Sequence, residues 1–312
     1  MSATQKAYIS KMMAVLTGAS GPCVFMTVIT VLSFWVGVMY FLIFGAVIVL
    51  TISFVMERNE YSIKSFWHEI ILHRKLMIFL LIASLCESCL YVFFGMAMRM
   101  KTVTETVIAI RVAPLFSIML AVTLLGERVK SKLGVFLAFA LCFAGMGLTS
   151  GENLVINRFT FVTLGAAFLM SLSTVLQRKI ITEYQVSKGM LTGMVMLFGA
   201  VMMFIWSWLI HASFDIPDLK TFGLLVYLGV VTVGIPVFLG LLAFELIGSL
   251  SKLAFFDYLI PIFGSLYAFL WNGEVGFNYG KLVIGFVLVT IGIYIANRSV
   301  DLSPQKEGQN GN

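Results

Sequence analysis

Charged residues are scarce in this chain. Asp, Glu, Lys and Arg together make up 12% of its 312 residues, whereas soluble proteins contain about 25%. Hydrophobic residues make up 60%, and the polar stretches between apolar runs are short. One transmembrane helix needs about 20 mostly apolar residues, so several such helices leave no room here for a soluble domain. The composition excludes a soluble protein and predicts a multi-pass protein in a lipid bilayer.

Cysteine and histidine are also rare. The four cysteines fall inside apolar runs, and the three histidines lie in or beside loops without the spacing of a metal site. The sequence lacks the Gly-x-x-x-x-Gly-Lys-Ser/Thr loop that binds ATP phosphates, and it has no polar cluster typical of a catalytic site. We therefore expect no metal, no cofactor and no enzymatic activity. The net charge of +6 comes from basic residues scattered through short loops, so we expect no nucleic-acid partner.

One pattern occurs twice in the chain. In each copy an apolar run that contains a proline leads to a Gly-Glu pair, and a second apolar run with further glycines follows. Corresponding residues of the two copies are 147 positions apart, as in Pro114 and Pro261, Glu127 and Glu274, and Gly145 and Gly292. Three matches at one offset indicate a tandem duplication of a membrane unit.

The pattern of Pro-x-Phe, about ten apolar residues, Gly-Glu and a glycine-bearing helix resembles the EamA-type repeat of the drug/metabolite transporter superfamily. The resemblance covers nearly the whole chain, because both copies carry the motif. It implies an all-α membrane protein with ten transmembrane helices in two five-helix halves, and a central cavity lined by both halves. The resemblance indicates almost nothing about the identity of the substrate.

The apolar runs themselves also predict ten transmembrane helices. We assign residues 1–150 to a first five-helix repeat, 151–296 to a second, and 297–312 to a disordered cytoplasmic tail. The apolar segment Met12–Val55 is too long for one span, so we expect a turn near Thr30–Ser33. With the N-terminus inside, fifteen Lys and Arg residues lie on the inner side, five on the outer side, and Arg111 lies within a span. This excess predicts that both termini are cytoplasmic.

An odd number of spans in each repeat has a topological consequence. The second repeat must enter the membrane from the opposite side, so the two repeats are inverted. Inverted repeats that rock around a substrate site near the midplane are common in secondary transporters, and the arrangement predicts alternating access.

The symmetric positions of Glu127 and Glu274 predict a structural task for both, such as capping the N-terminus of the next helix.

Three ionisable residues lie within predicted spans, namely Glu87, Arg111 and Asp257. Charges at this depth are costly and usually functional. We expect Arg111 to bind a substrate carboxylate or phosphate with its planar fork, and a structural ion pair with Glu87 is the alternative. Glu87 is a candidate for proton coupling, with a fixed counter-ion as the alternative. Asp257 is expected to bind a substrate amine, so that Arg111 and Asp257 together would hold a zwitterion.

Three further residues are candidates for the substrate site. Tyr91 lies one helical turn from Glu87, and Tyr258 occupies the repeat position of Arg111. Either aromatic ring would suit a cationic amine. Gln177 is a polar residue in or just beyond the predicted sixth span. Ordinary helix packing is the alternative for all three residues.

These features predict a secondary active transporter, with a small-molecule substrate, rather than an enzyme. The substrate we expect is a small polar metabolite such as an amino acid, another zwitterion or an amine, moved by efflux, with proton coupling left open. One alternative is exchange of a larger metabolite such as a nucleotide sugar or S-adenosylmethionine. A non-transport membrane scaffold or lipid-modifying protein is an alternative of another class. We expect a monomer or homodimer in the bacterial inner membrane.

Overall fold

A computed structural model describes the greater part of the chain. The described residues are 3–56, 73–126, 128–149, 158–184, 186–214, 216–236, 238–239, 242–243, 259–274 and 279–301. Across these ranges the chain is almost entirely helical, as the composition predicts. Most of the predicted tail, residues 297–312, lies outside the described residues.

The helices follow the apolar runs, because in lipid only a helix or a closed barrel satisfies every backbone N–H and C=O group. Their bounds in chain order are α1 (Ala3–Ala19), α2 (Gly21–Val31), α3 (Phe34–Met56), α4 (Arg74–Met100), α5 (Val103–Ala109), a 3-10 turn (Ile110–Val112), α6 (Ala113–Leu124), α7 (Lys132–Thr149), α8 (Arg158–Tyr184), α9 (Lys188–Leu209), α10 (Leu219–Tyr227), a π-helix (Leu228–Gly234), α11 (Ile260–Asn272) and α12 (Tyr279–Arg298). The turn predicted near Thr30–Ser33 falls between α2 and α3.

The surface of the bundle is that of a membrane protein. Six helical segments among the described residues are long and apolar enough to cross a bilayer, and three shorter apolar helices accompany them. Large apolar side chains also face outward, among them Phe136, which is 69% exposed, and Trp208, which is 64% exposed. Because water would not favour so much exposed apolar surface, the chain is an integral multi-pass membrane protein.

A short pair of strands joins two distant connections at one end of the bundle. Strand β1 (Arg128–Val129) follows α6, and strand β2 (Val300–Asp301) follows α12. They pair antiparallel, and the backbone N–H groups of Lys130 and Ser131 both donate to the carbonyl oxygen of Ser299. The sequence did not predict this ladder. It fixes the ends of α6 and α12 at the same end of the bundle, which we call the ladder end.

Helices α7 and α12 pack through glycines. A Cβ atom on Gly145 would lie 2.5 Å from the carbonyl oxygen of Gly285, and one on Gly292 would lie 2.8 Å from that of Ala138. The Cys142 thiol donates to the carbonyl oxygen of Val289 at 3.5 Å. Only glycine allows two helices to approach this closely. The two glycine contacts correspond to each other, because 147 positions separate Gly145 from Gly292 and Ala138 from Gly285.

The end of the bundle opposite the ladder is joined by Glu274. Gly273 ends α11 in the left-handed conformation at φ +64°, which glycine adopts without strain. The Glu274 carboxylate then accepts from the backbone N–H groups of Val103 at 2.8 Å and Thr104 at 3.2 Å, and from the Thr104 hydroxyl at 2.9 Å. A capping role was therefore predicted correctly for Glu274, but the next helix was the wrong partner. The capped helix is α5, whose first residue, Val103, precedes Glu274 by 171 positions in the sequence.

Candidate functional site

Prolines interrupt the helices that meet at the centre of the bundle. A proline has no N–H group and clashes with the carbonyl group one turn earlier, so the preceding turn leaves the α-helical path. Before Pro114 the chain forms the 3-10 turn that contains Arg111. Pro22 lies at the start of α2, just after the break from α1, and Pro236 closely follows the π-helix. Interrupted helices of this kind surround the substrate sites of many secondary transporters.

A cavity of about 480 Å³ lies where these interruptions meet. It is lined by residues of α1, α2, α4, α6, α8, α11 and the 3-10 turn, together with Pro236. Most of its wall is apolar. The polar side chains among the described residues that line it are Lys11, Tyr91, Arg111, Ser117 and Thr174.

Two of the candidate site residues, Arg111 and Tyr91, lie in the cavity wall. Arg111 is partly buried and is placed there by the 3-10 turn before Pro114. The ring of Tyr91 is held by Phe41, with ring centres 4.6 Å apart, and by Phe25 at 6.0 Å, both at steep angles. Edge-to-face contacts of this kind fix the orientation of an aromatic ring. A rigid aromatic ring and a guanidinium group therefore face one volume.

Glu87 and Gln177 belong to a separate polar cluster behind Tyr91, between α4, α8 and α9. The Glu87 carboxylate accepts from the Ser173 hydroxyl at 2.9 Å and from the Tyr91 hydroxyl. The Gln177 amide donates to Ser173 at 3.0 Å, and its oxygen accepts from Thr192 at 3.4 Å. Neither Glu87 nor Gln177 is among the described residues that line the cavity. Tyr91 is thus the link between this cluster and the cavity.

Two of the predicted site residues, Asp257 and Tyr258, lie outside the described residues. The nearest described neighbour that lines the cavity is Ile260, at the start of α11. The zwitterion clamp proposed from the sequence therefore has one described member, Arg111.

Sequence reasoning missed Lys11, Ser117 and Thr174, which line the cavity. Lys11 was counted among the inner loops because the first span was taken to begin at Met12, whereas α1 begins at Ala3. A helical spacing was present, since Lys11, Ala14, Gly18 and Pro22 recur every three or four residues and all line the cavity. Ser117 and Thr174 had no comparable signal, because hydroxyl residues are common at helix–helix contacts in membranes.

Two other cavities are present in the described part of the bundle. One of about 160 Å³ adjoins the central cavity and shares Tyr91 and Phe94 with it. The other, of about 410 Å³, lies between α5, α11 and α12. Its wall includes Ile262 and Leu266, about half of whose surface is exposed on the outside of the bundle. This groove therefore belongs to the lipid-facing surface. In the described ranges no group of three or more His, Cys, Asp or Glu side chains has the geometry of a metal site.

Comparison with known proteins agrees with the fold. One solved crystal structure of a protein matches this chain with a TM-score of 0.60 at 16% identity, over 98% of this chain and 99% of the other. At this identity the likeness concerns the fold alone. No curated protein matches the chain. Residues 158–298, which run from the start of α8 to the end of α12, match the model of the EamA-like transporter family. Over this segment, which is a little under half of the chain, the protein is similar to the EamA-like transporter family, in agreement with the resemblance seen in the sequence.

Proposed function

We propose that this chain is a secondary transporter that moves a small polar metabolite through the central cavity by alternating access. The observation that carries the proposal is the position of Arg111 in a proline-induced helix break in the cavity wall. Transporter sites lie near the midplane where helices are interrupted, and a charge at that depth usually serves function. A volume of about 480 Å³ is within the range of pockets that bind small molecules.

The proposal includes ten spans in two inverted five-helix repeats, residues 1–150 and 151–296. The ladder supports this count, because it holds the start of α7 and the end of α12 at one end of the bundle. The chain from α7 to α12 must therefore cross the membrane an even number of times. The mirrored contacts between α7 and α12 support the inversion, since each has a counterpart 147 positions away. The Lys and Arg excess favours a cytoplasmic ladder end, with both termini inside.

The mechanism assigns Arg111 to the anionic group of the substrate. A guanidinium group offers two parallel N–H donors to a carboxylate or phosphate, and its charge is constant at any physiological pH. An amino acid or another zwitterion fits this role, with efflux as the proposed direction. The cavity volume is also compatible with a larger metabolite, so exchange of a nucleotide sugar or S-adenosylmethionine is the second candidate.

Proton coupling is assigned to Glu87, and the Ser173 hydroxyl is what supports it. Ser173 Oγ lies 2.9 Å from Glu87 Oε2 and 3.3 Å from the carbonyl oxygen of Ala83, so its single proton has two possible acceptors. A charged Glu87 would accept from Ser173. A protonated Glu87 would instead donate to Ser173, whose own proton would turn to Ala83. Both protonation states of Glu87 then keep their hydrogen bonds, as a proton carrier requires.

Transport by purified protein in proteoliposomes tests the proposal. Labelled amino acids, nucleotide sugars and S-adenosylmethionine are offered with and without a pH gradient, and Arg111→Ala is compared with wild type. Transport of the accepted substrate should fall at least about 100-fold in Arg111→Ala, because a charge-assisted bidentate contact is lost. Arg158→Ala is the matched control, since Arg158 is exposed at the start of α8. Unchanged transport by a well-folded Arg111→Ala protein would remove Arg111 from the site.

A further inference from the structure

We propose that the smaller cavity beside the central one is a subsite that binds a benzene-sized ring of the substrate. This inference rests on the proposed transport function and adds to it the apolar part of the substrate. The smaller cavity, which we call the ring subsite, has a volume of about 160 Å³. A protein cavity of about 150 Å³ with walls of leucine, isoleucine and phenylalanine is large enough to bind benzene. A substrate ring of that size therefore fits the ring subsite.

Aromatic side chains form much of the wall of the ring subsite. Four of its ten described lining residues are aromatic, namely Phe25, Phe41, Tyr91 and Phe94. They lie on α2, α3 and α4, and residues of α1 and of the π-helix complete the described wall. Aromatic rings attract one another in edge-to-face and offset arrangements, beyond the gain from burial of apolar surface. The wall therefore favours an aromatic ring.

Three of these rings hold one another in place. The ring centres of Phe41 and Tyr91 are 4.6 Å apart, and Phe25 lies 5.5 Å from Phe41 and 6.0 Å from Tyr91. Phe25 and Phe41 are also buried. Because these rings are already ordered, a ligand that enters the subsite does not have to order them, and such preorganisation favours binding.

The polar side chains of the described wall are Tyr91 and Thr232, and both hydroxyl protons are already engaged. The Thr232 hydroxyl donates to the carbonyl oxygen of Leu228 at 2.7 Å, and the Tyr91 hydroxyl donates to Glu87. A ligand that fills the space with carbon atoms leaves these hydrogen bonds intact, whereas a polar ligand group would lose water here without gaining either donor. The subsite therefore suits an apolar group.

The ring subsite and the central cavity adjoin, so one substrate can occupy both. Gly18, Pro22, Tyr91 and Phe94 line both volumes. Gly18 has no side chain to project across this boundary. A substrate can place its polar group in the central cavity and its ring against Tyr91 in the subsite. The substrate class is then a small polar metabolite with a side chain the size of a phenyl group.

Three pairs of probes test this inference, namely alanine and phenylalanine, acetate and phenylacetate, and ethylamine and phenethylamine. The members of each pair share a polar group and differ by one phenyl ring, so the comparison does not depend on the charge that the central cavity prefers. Equilibrium binding to the purified protein in detergent and flux in proteoliposomes are measured for all six probes. In at least one pair the phenyl member should bind at least about tenfold more tightly. A smaller advantage in every pair would overturn the inference.

A larger subsite should accept a larger ring. Phe41 lines the ring subsite and not the central cavity, and leucine in its place would open space beside Tyr91. The larger probes are tryptophan, indoleacetate and tryptamine, which carry indole in place of phenyl. In Phe41→Leu the ratio of indole to phenyl affinity should rise at least about fivefold over wild type.

Phe44→Leu is the matched control for Phe41→Leu. Phe44 is on the same helix, packs against Phe222 and lines neither volume. Each ratio compares two probes on one protein, so a partial loss of folded protein cancels. Equal ratios in Phe41→Leu and Phe44→Leu would contradict a ring site beside Phe41.

A filled subsite should lose its preference for the phenyl member of each pair. Val233 is partly buried on the π-helix and lines the ring subsite but not the central cavity. Val233→Phe would place a ring of the protein where the substrate ring is expected. The phenyl advantage should fall to about twofold or less, while the short member of the pair binds as in wild type. A tenfold advantage in folded Val233→Phe protein would place the substrate ring elsewhere.

The outcome for the ring subsite can be separated from the outcome for transport. Flux of a probe without any phenyl advantage in binding would disprove the subsite and leave transport intact. A phenyl advantage that responds to Phe41→Leu, without flux of any probe, would support the subsite and count against transport of these compounds. Absence of both binding and flux for all six probes would contradict the inference and weaken the proposed function with it.

Discussion

The α7–α12 interface and the wall of the central cavity are built from the same kind of apolar helix, yet they differ in what interrupts it. In the first, glycines such as Gly145 and Gly292 bring two backbones into contact, and no space remains between the helices. In the second, Pro22, Pro114 and Pro236 bend or rewind the helices, and a volume of about 480 Å³ opens between them. In this bundle, glycines therefore allow close helix packing, whereas prolines lie beside the open cavity.

The difference bears on which parts of the molecule would stay fixed during the proposed transport. A close-packed interface such as α7–α12 is costly to separate, because many small dispersion contacts would be lost together. The cavity wall already contains non-α-helical turns and partly buried charges, so its helices can shift with less loss. We infer that α7 and α12 act as a rigid support while the helices of the cavity move.

Replacement of Gly145 by alanine should have the largest effect on stability. The new Cβ atom would lie 2.5 Å from the carbonyl oxygen of Gly285 and 3.0 Å from the backbone nitrogen of Val289, so two backbones would have to move apart. Overpacking of this kind typically costs about 1–3 kcal/mol. The midpoint of thermal unfolding in detergent, followed by the loss of the monodisperse peak in size-exclusion chromatography, measures the change.

Gly223→Ala provides the control for that substitution. Gly223 lies within α10, and a Cβ atom there would meet nothing within 4 Å. Alanine at an exposed helical position should raise helix stability by about 0.5–1 kcal/mol. If Gly145→Ala unfolded at the same temperature as Gly223→Ala, the α7–α12 interface would not be the rigid contact described above.

Substitution of Glu274 tests the contact that joins the two halves at the end opposite the ladder. Glu274→Ala removes three hydrogen bonds from the N-terminus of α5, and loss of a helix cap typically costs about 0.5–2 kcal/mol. We expect the backbone amides of Val103 and Thr104 to exchange faster with deuterium in Glu274→Ala, while those of α7 and α12 keep their protection. Hydrogen-exchange mass spectrometry measures both sets of amides in one experiment.

Glu183→Ala is the comparison for a carboxylate that joins no distant helices. Glu183 pairs with Lys179 on the surface of α8 at 3.6 Å, and exposed pairs of this kind contribute about 0–1 kcal/mol. Exchange in α5 should be unaffected by this variant. Unchanged α5 exchange in Glu274→Ala would mean that the cap does not hold the two halves together at this end.

The sequence predicted much of this arrangement, and its limits have physical reasons. Apolar runs determine helices in lipid, and the turn predicted near Thr30–Ser33 falls between α2 and α3. The wrong start of the first span arose from Lys6 and Lys11, because a lysine can lie within a helix and still reach polar surroundings with its long side chain. The repeat indicated that Glu274 had a structural task. It did not identify α5 as the partner, because contacts between distant segments depend on packing rather than on local pattern.

The candidate site was predicted less completely than the fold. Arg111 was predicted as a site residue because it is a charge within a span, and Tyr91 because it lies one helical turn from Glu87. An ion pair between Glu87 and Arg111 was one of two alternatives, and the hydrogen bonds of Glu87 go to Ser173 and Tyr91. Helix rotation decides which face a residue presents, and an apolar helix without a polar face gives no indication of its rotation.

The last expected effect is at Ser173 and concerns coupled transport. If Ser173 lets Glu87 change its protonation state without losing hydrogen bonds, Ser173→Ala should reduce uptake driven by a pH gradient several-fold. Uptake without a gradient should change little, because the cavity wall is intact. Ser173→Thr keeps the hydroxyl and should retain most of the coupled uptake. Both rates are measured in the same proteoliposomes with the substrate identified by the Arg111 experiment.

Ser171→Ala separates this role from ordinary packing. Ser171 is also buried on α8, about half a helical turn before Ser173. Its hydroxyl lies 2.6 Å from the carbonyl oxygen of Ala113 and 2.8 Å from that of Ala167. It has no carboxylate partner, so its loss should cost about 1 kcal/mol of stability without changing the response to the gradient. Equal gradient-driven uptake by Ser171→Ala and Ser173→Ala would reduce Ser173 to a packing residue. Glu87→Gln should then also retain the gradient response, because the cluster behind Tyr91 would carry no proton at all.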